Sequence, residues 1–163
     1  MALFEEAERD AEYERARKRA MYLLGSRPYS TAALREKLLG NYSEKTAERV
    51  IEDMTRYGFL DDEEYARRLA SSIIKGKKYG LRRAKAEMRR KGVPDELIEQ
   101  ALDEYGSEEI NESLTQLVRK KYADRIADRE ERQKVIAALA RRGSGFGEIK
   151  LAITSVLEEM EEE

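Results

Sequence analysis

The most chemically suggestive part of the chain is a basic run between positions 75 and 91. It holds nine lysine or arginine side chains and one carboxylate, that of Glu87. Arginine offers a planar fork that matches phosphates and carboxylates. A face made only for solubility usually mixes both signs of charge, so the excess favours a polyanion or an acidic partner over a merely solvated helix face. The candidate residues are Lys75, Lys77, Lys78, Arg82, Arg83, Lys85, Arg89, Arg90 and Lys91.

The spacing of this run predicts how its charges are displayed. On a helix that begins near Gly80, the apolar residues Leu81, Ala84 and Met88 share the buried face. Lys85 then lies at the flank, and four arginines project from the other side: Arg82, Arg83, Arg89 and Arg90. Reversing the charge at Arg83 and Arg90 is therefore expected to abolish partner binding without unfolding the protein.

A second basic cluster, Arg119, Lys120 and Lys121, ends a later predicted helix. It is a further candidate for contact with a partner or with DNA. Cations in a last turn are also favoured by the helix dipole, so both interpretations stay open. Tyr29 and Tyr79 precede equivalent helices, where tyrosines either seal a corner or stack on bases.

Several kinds of active site are excluded by composition. The 163 residues include no cysteine and no histidine, which removes thiol nucleophiles, histidine bases and His-containing zinc sites. No carboxylate pair stands out as an acid/base couple, and no glycine loop of the phosphate-binding type is present. We therefore expect no catalytic residue, cofactor or metal.

The charge distribution and hydropathy suggest where the protein works. The net charge is −2, with glutamates crowded at both ends and a basic middle, which weighs against tight binding to free duplex DNA. No apolar run approaches the roughly 20 residues that span a bilayer, and the N-terminal residues lack the regions of a signal peptide. We expect a soluble, cytoplasmic monomer that does not contact membranes.

The elements that position these charges are predicted to be helices arranged in repeats. Helix-forming residues dominate, and the apolar stripe of the first segment recurs about 50 positions later. Ala16, Ala20, Leu23 and Leu24 become Ala66, Ala70, Ile73 and Ile74. We predict an all-α fold of nine helices in three tandem three-helix repeats, at 1–58, 59–106 and 107–163, stacked into an elongated curved array.

The corner between the first two repeats carries a distinctive motif. Gly58 suits a left-handed helix C-cap, and Phe59 and Leu60 are expected to plug the joint. Asp61, three residues before Glu64, resembles a capping box for the next helix. The residues of this mainly structural motif are Gly58, Phe59, Leu60, Asp61, Asp62, Tyr65 and Ala66.

This motif resembles the most recognisable motif of the RecX family of bacterial recombination regulators. Other stretches are similar in order and spacing, so that the resemblance extends from about position 16 to about position 157. They are Leu34 to Leu38, Lys91-Gly92-Val93 leading into Ile98, Arg119-Lys120-Lys121-Tyr122, and Arg141-Arg142-Gly143 with Ile149.

The resemblance implies a fold of tandem three-helix repeats and a regulatory function without catalysis. It implies binding to the groove of the RecA recombinase filament on single-stranded DNA. It also implies inhibition of strand exchange, ATP hydrolysis and coprotease activity, and so modulation of homologous recombination and DNA repair. A weak direct contact with DNA is expected beside it. Two alternatives stay open: a DNA-binding protein that uses three-helix modules without RecA contact, and an inert helical scaffold.

Overall fold

The computed structural model describes all of residues 1–163 and contains nine α-helices, one π-helical segment and no strand. This confirms the predicted all-α fold and the number of α-helices. The elements in order are α1 (Ala2–Ser26), α2 (Thr31–Leu39), α3 (Glu44–Arg56), α4 (Asp62–Ser71), the π-helical segment (Ser72–Lys77), α5 (Leu81–Arg90), α6 (Asp95–Asp103), α7 (Ser107–Lys121), α8 (Arg129–Arg141) and α9 (Phe146–Glu162).

The chain divides into two compact units. The first comprises residues 1–65 together with the short turn at 91–94, and the second comprises residues 66–90 and 95–163. None of the helices is long and apolar enough to cross a lipid bilayer.

The core of the first unit is built from the apolar stripes that define helical periodicity in the sequence. Helices α1, α2 and α3 contribute one stripe each, and their side chains are almost fully removed from water. Burial of such stripes is the main source of stability for short helices. The core residues are Ala16, Ala20, Leu23, Leu34, Leu38, Ala47, Val50, Ile51 and Met54.

Serine side chains cap α2 and α3 in the first unit. The Ser30 hydroxyl accepts a hydrogen bond from the Ala33 amide (3.1 Å), and the Ser43 hydroxyl accepts one from the Thr46 amide (3.3 Å). Each cap satisfies one of the amides that a helix start leaves without a partner. The Ser30 hydroxyl in turn donates to the Lys91 carbonyl (2.7 Å), so this cap also fixes the 91–94 turn.

The corner motif has the predicted backbone. Gly58 adopts a φ of +82°, and the amides of Phe59 and Leu60 both donate to the Met54 carbonyl, closing α3. Asp61 caps α4 by accepting from the Glu64 amide (3.1 Å). Asp62 has a function that spacing did not indicate: its carboxylate accepts from the Thr31 amide (2.7 Å) and caps α2.

One prediction for this corner is wrong. Leu60 is buried as expected, but Phe59 is 52 % exposed and does not plug the joint. Phe59 lies in a bend directly after the left-handed Gly58, and of the two apolar residues only Leu60 faces the core.

Glu12 on α1 acts as a cap for α3, and its contribution to the stability of the first unit can be tested. Its carboxylate accepts hydrogen bonds from the Ser43 amide (2.7 Å), the Thr46 hydroxyl (2.8 Å) and the Ser43 hydroxyl (3.1 Å). The Ser43 backbone N–H, followed by the Thr46 hydroxyl, holds the pKa of Glu12 below its ordinary value of 4.5. A lowered folded-state pKa stabilises the fold above that ordinary value, and the contribution is lost as the pH falls through the folded-state pKa.

We expect Glu12→Gln to lower the free energy of unfolding by about 1 kcal/mol at neutral pH. The difference from wild type should disappear in acid, where the wild-type carboxyl is protonated too. Thermal unfolding followed by circular dichroism at neutral and acidic pH measures both effects, with exposed Glu8→Gln as the matched control. Equal stability of the two variants at neutral pH would contradict the capping function.

The second unit buries an apolar stripe on α6 and another on α9. Ile98, Ala101 and Leu102 are buried on α6, and the buried residues of α9 join a core with α7 and α8. Asp128 caps α8 by accepting from the Glu131 amide (2.9 Å). The buried members of the α7–α9 core are Leu114, Leu117, Val118, Tyr122, Ile126, Val135, Leu139, Ile149, Ala152, Ile153 and Val156.

Candidate polyanion-binding surface

Helix α5 displays the basic run much as its periodicity predicts. Ala84 and Met88 are fully buried, and the exposed side carries Arg82, Lys85, Arg89 and Arg90, which we call the α5 basic face. Leu81, predicted to be buried, is 38 % exposed. It is the first residue of α5, and because helical side chains tilt towards the N-terminus, its side chain has no preceding turn of α5 to cover.

The lysines before α5 lie on an irregular segment. Residues Ser72–Lys77 form π-helical turns, and Lys78 ends them in the left-handed region with φ of 56°. The Tyr79 amide then donates to the Ile73 carbonyl (3.1 Å). Helical periodicity gave no indication of this π-helical segment. Such turns are frequent at functional sites.

The three lysines of this segment have polar neighbours within the second unit. Lys75 lies 3.9 Å from Glu109, and Lys77 lies 3.4 Å from Glu87. The Lys78 ammonium donates to the Gln116 side chain (3.4 Å). These contacts offset part of the positive charge that the sequence shows, so the lysines contribute less free charge than their number suggests.

Tyr79 lies among cations that the fold brings together. The guanidinium carbons of Arg83 and Arg142 lie 4.2 and 4.8 Å from its ring centroid, and the Lys77 ammonium lies 5.6 Å away. Arg142 also donates to the Lys77 carbonyl. Cation–π contacts of this kind favour the structural interpretation of Tyr79, as a corner residue, over base stacking.

Two arginines of the basic run hold the end of α8. Arg82 donates to the Ala140 carbonyl (3.2 Å) and Arg83 donates to the Arg141 carbonyl (3.3 Å). Both carbonyls belong to the last turn of α8, where a helix has unpaired acceptors and a negative dipole end. Arg83 is also only half exposed and lies 3.7 Å from Glu87. Reversal of charge at Arg83 would therefore remove structural contacts as well as charge, and the expectation that it leaves the protein folded stays a prediction.

A close approach of two glycine backbones fixes the start of α5 beside the turn after α8. The Gly80 amide donates to the Arg142 carbonyl (2.8 Å). A Cβ at Gly80 would lie 2.3 Å from the carbonyl carbon and oxygen of Gly143, which itself has a φ of +92°. The orientation of the α5 basic face therefore depends on residues that have no side chain.

Two members of the α5 basic face are left for an external partner. Arg89 is not one of them, because it pairs with Asp95 (2.7 Å). Glu87, the one carboxylate of the basic run, is engaged by Lys77 and Arg83 and is only 12 % exposed. Lys85 and Arg90 are exposed and take part in no ion pair within the chain. Arg82, Lys85 and Arg89 recur at helical spacing and form a stripe about 10 Å long. Lys91, the last cation of the basic run, belongs to the first unit and is not part of the α5 basic face.

The second predicted cluster is engaged differently. Arg119, Lys120 and Lys121, which we call the α7 basic end, are exposed in the last turn of α7. Arg119 forms a two-pronged ion pair with Glu159, with N–O distances of 2.6 and 2.7 Å. This pair raises the pKa of Arg119 and lowers that of Glu159. An external anion that takes the Nε–Nη2 edge of Arg119 must displace Glu159.

The carboxylates serve as acceptors for amides and cations. The pKa of Glu131 is lowered by hydrogen bonds from Lys134 and then Arg125, as those of Glu12 and Glu159 are by their own donors. A lowered pKa keeps each carboxylate ionised near neutral pH. No group of three or more acidic, histidine or cysteine side chains is placed to hold a metal ion.

Comparison with known families matches three consecutive models along the chain. The model for the first three-helix domain of RecX matches residues 16–54, that for the second matches 61–102, and that for the third matches 107–153. The matches agree with three repeats of three helices each. The limits of the repeats at positions 58/59 and 106/107 stay a prediction.

Curated relatives are similar over most of their length. The regulatory protein RecX of Prosthecochloris aestuarii is 34 % identical over 152 residues, which cover 91 % of this chain and 97 % of the relative. That of Trichlorobacter lovleyi is 36 % identical over 129 residues, covering 76 % and 84 % of the two chains.

Solved structures share the fold. The crystal structure of RecX from Lactobacillus salivarius superposes with a TM-score of 0.80 at 20 % identity, covering 90 % of this chain and 97 % of the other. A second crystal structure of regulatory protein RecX gives a TM-score of 0.76, covering 88 % and 72 %. Together with the three family matches and the identity to curated relatives, these findings show that the chain belongs to the RecX family of regulatory proteins.

Proposed function

We propose that this chain binds the RecA recombinase filament on single-stranded DNA and inhibits its recombinase, ATPase and coprotease activities. In this way it would modulate homologous recombination, DNA repair and the SOS response. The observation that carries the proposal is the α5 basic face, on which Lys85 and Arg90 are exposed without an internal partner. The chain belongs to a family of regulatory proteins, which supports an action on a partner protein over an activity of its own.

The charge distribution supports a partner that presents both protein and phosphate. The chain has a net charge of −2, and its cations are concentrated on α5 and at the end of α7. Non-specific DNA binding gains its affinity from many phosphate contacts, which an acidic protein makes poorly. A nucleoprotein filament adds a protein surface to the phosphates. We therefore propose a cytoplasmic monomer without catalysis of its own, whose contact with free DNA is weak.

The steady-state rate of ATP hydrolysis by RecA on single-stranded DNA tests this function. Addition of the protein is expected to lower the rate. Strong inhibition at ratios well below one protein per RecA subunit would indicate capping or disassembly of filaments. Inhibition only near saturation would indicate occupation of the groove. An unchanged rate at every ratio, with protein shown to be folded by circular dichroism, would contradict the proposal.

A further inference from the structure

Helix α9 ends in an acidic stretch. The helix continues beyond its last fully buried residue, Val156, to Glu162. Carboxylates at a helix C-terminus are disfavoured because they meet the negative end of the helix dipole. This end nevertheless carries no cation, and its acidic residues are Glu158, Glu159, Glu161, Glu162 and Glu163. We call these five residues the α9 acidic end.

The α9 acidic end meets the α7 basic end through one well-formed contact. Both oxygens of Glu159 accept from Arg119, with Nε–Oε2 and Nη2–Oε1 distances of 2.7 and 2.6 Å. This two-pronged geometry is the one in which arginine also binds phosphate. The Glu159 carboxylate thus occupies the Nε–Nη2 edge of Arg119, a position that a phosphate could take.

The rest of the α7 basic end remains open. Lys120 and Lys121 are exposed and form no ion pair, so the cluster keeps free positive charge beside the occupied guanidinium. The ion pair itself is solvent-exposed, with side-chain exposures of 47 % for Arg119 and 43 % for Glu159. Exposed pairs are weak and are screened by salt, so a competing anion can displace this one.

We propose that the α7 basic end is a second nucleic-acid-binding surface whose access is controlled by the α9 acidic end. Glu159 holds Arg119 until the phosphates of a single strand displace it. A nucleic acid fits better than an acidic protein segment, because its closely spaced phosphates can contact Arg119 and a neighbouring lysine in succession. The inference rests on the proposed function in one respect: the strand that reaches this cluster is the one carried by the filament.

Binding of a fluorescently labelled oligothymidine to the full chain, measured by anisotropy without RecA, tests this control. Glu159→Gln removes the charge that holds Arg119, and we expect it to bind about fivefold more tightly than wild type at low salt, the upper end for an exposed pair. The matched control is Glu161→Gln, which removes an equal charge two positions away at an exposed site. It is expected to bind within about twofold of wild type.

A second variant separates release of Arg119 from a general change in charge. In the double variant Arg119→Ala/Glu159→Gln the gain in affinity is expected to be lost, because the released fork is absent. Glu159→Gln that binds no more tightly than Glu161→Gln would overturn the inference. So would a gain that persists in the double variant. Because RecA is absent from this assay, its result is independent of whether the wild-type chain inhibits RecA.

Discussion

The variant Lys85→Glu/Arg90→Glu is expected to lose inhibition of RecA while keeping its fold. Both side chains are exposed on α5 and neither forms an ion pair or supports a neighbouring helix end. Their replacement changes the net charge of the α5 basic face by four units. Like charges placed opposite each other at an interface cost several kcal/mol, so we expect a loss of apparent affinity of about a hundredfold or more.

The matched control for this variant is Lys18→Glu/Lys45→Glu. Lys18 on α1 and Lys45 on α3 are exposed cations of the first unit without an ion pair, and their reversal gives the same change in net charge. It is expected to inhibit RecA nearly as well as wild type. Folding of both variants is checked by circular dichroism and thermal unfolding. If the Lys85/Arg90 variant is folded and inhibits normally, the α5 basic face is not the surface that contacts the partner.

The choice of Lys85 and Arg90 follows from the structure. Arg83, which sequence alone suggests as an equal partner of Arg90, binds the last carbonyl of α8 and packs on Tyr79. A glutamate at that position would lose these contacts and face Glu87. A change at Arg83 therefore mixes loss of stability with loss of binding.

The variant Gly80→Ala is expected to destabilise the second unit strongly. The added Cβ would lie 2.3 Å from the Gly143 carbonyl carbon and 2.5 Å from the Ser144 amide nitrogen. These are backbone atoms, which cannot move aside as the end of a flexible side chain can. Overpacking of this kind costs about 3 kcal/mol. For a chain of this size the unfolding midpoint should then fall by about 10 °C.

Gly147→Ala provides the matched control for this glycine. Gly147 lies in α9, and no atom is found within 4 Å of the position that its Cβ would take. Alanine there is expected to stabilise the helix by about 0.5–1 kcal/mol. Thermal unfolding of the two variants should thus shift in opposite directions. A Gly80→Ala protein as stable as wild type would show that the close approach of Gly80 and Gly143 is not rigid in solution.

Much of the fold could be predicted because the signals are local. The stripe that begins with Ala47 and recurs at Ile98 and Ile149 is buried each time, since helical spacing decides which face meets a core. Serine and aspartate caps at Ser30, Ser43 and Asp128 follow from the same short-range chemistry.

The candidate site could be predicted only in part, because its electrostatics depend on distant partners. Sequence indicates that α5 is basic, and Arg82, Arg89 and Arg90 are exposed as expected, whereas Arg83 is only partly exposed. It does not indicate that Arg82 and Arg83 bind the α8 carbonyls, which lie 58 positions away. Nor does it indicate that Glu159 pairs with Arg119 across 40 positions. Contacts between residues so far apart in the chain depend on how the helices pack, and they cannot be predicted from local sequence patterns.

The most direct test of the account compares two affinities of the wild-type chain over a range of salt concentrations. One is for RecA filaments assembled on a labelled single strand, and the other is for the same strand alone. The account predicts at least about tenfold tighter binding to the filament, with a shallower dependence on salt, because much of the interface is protein. Neutralising about six phosphates alone would give a log–log slope near −5. Equal affinities with that steep slope would contradict the account and favour a DNA-binding protein without RecA contact.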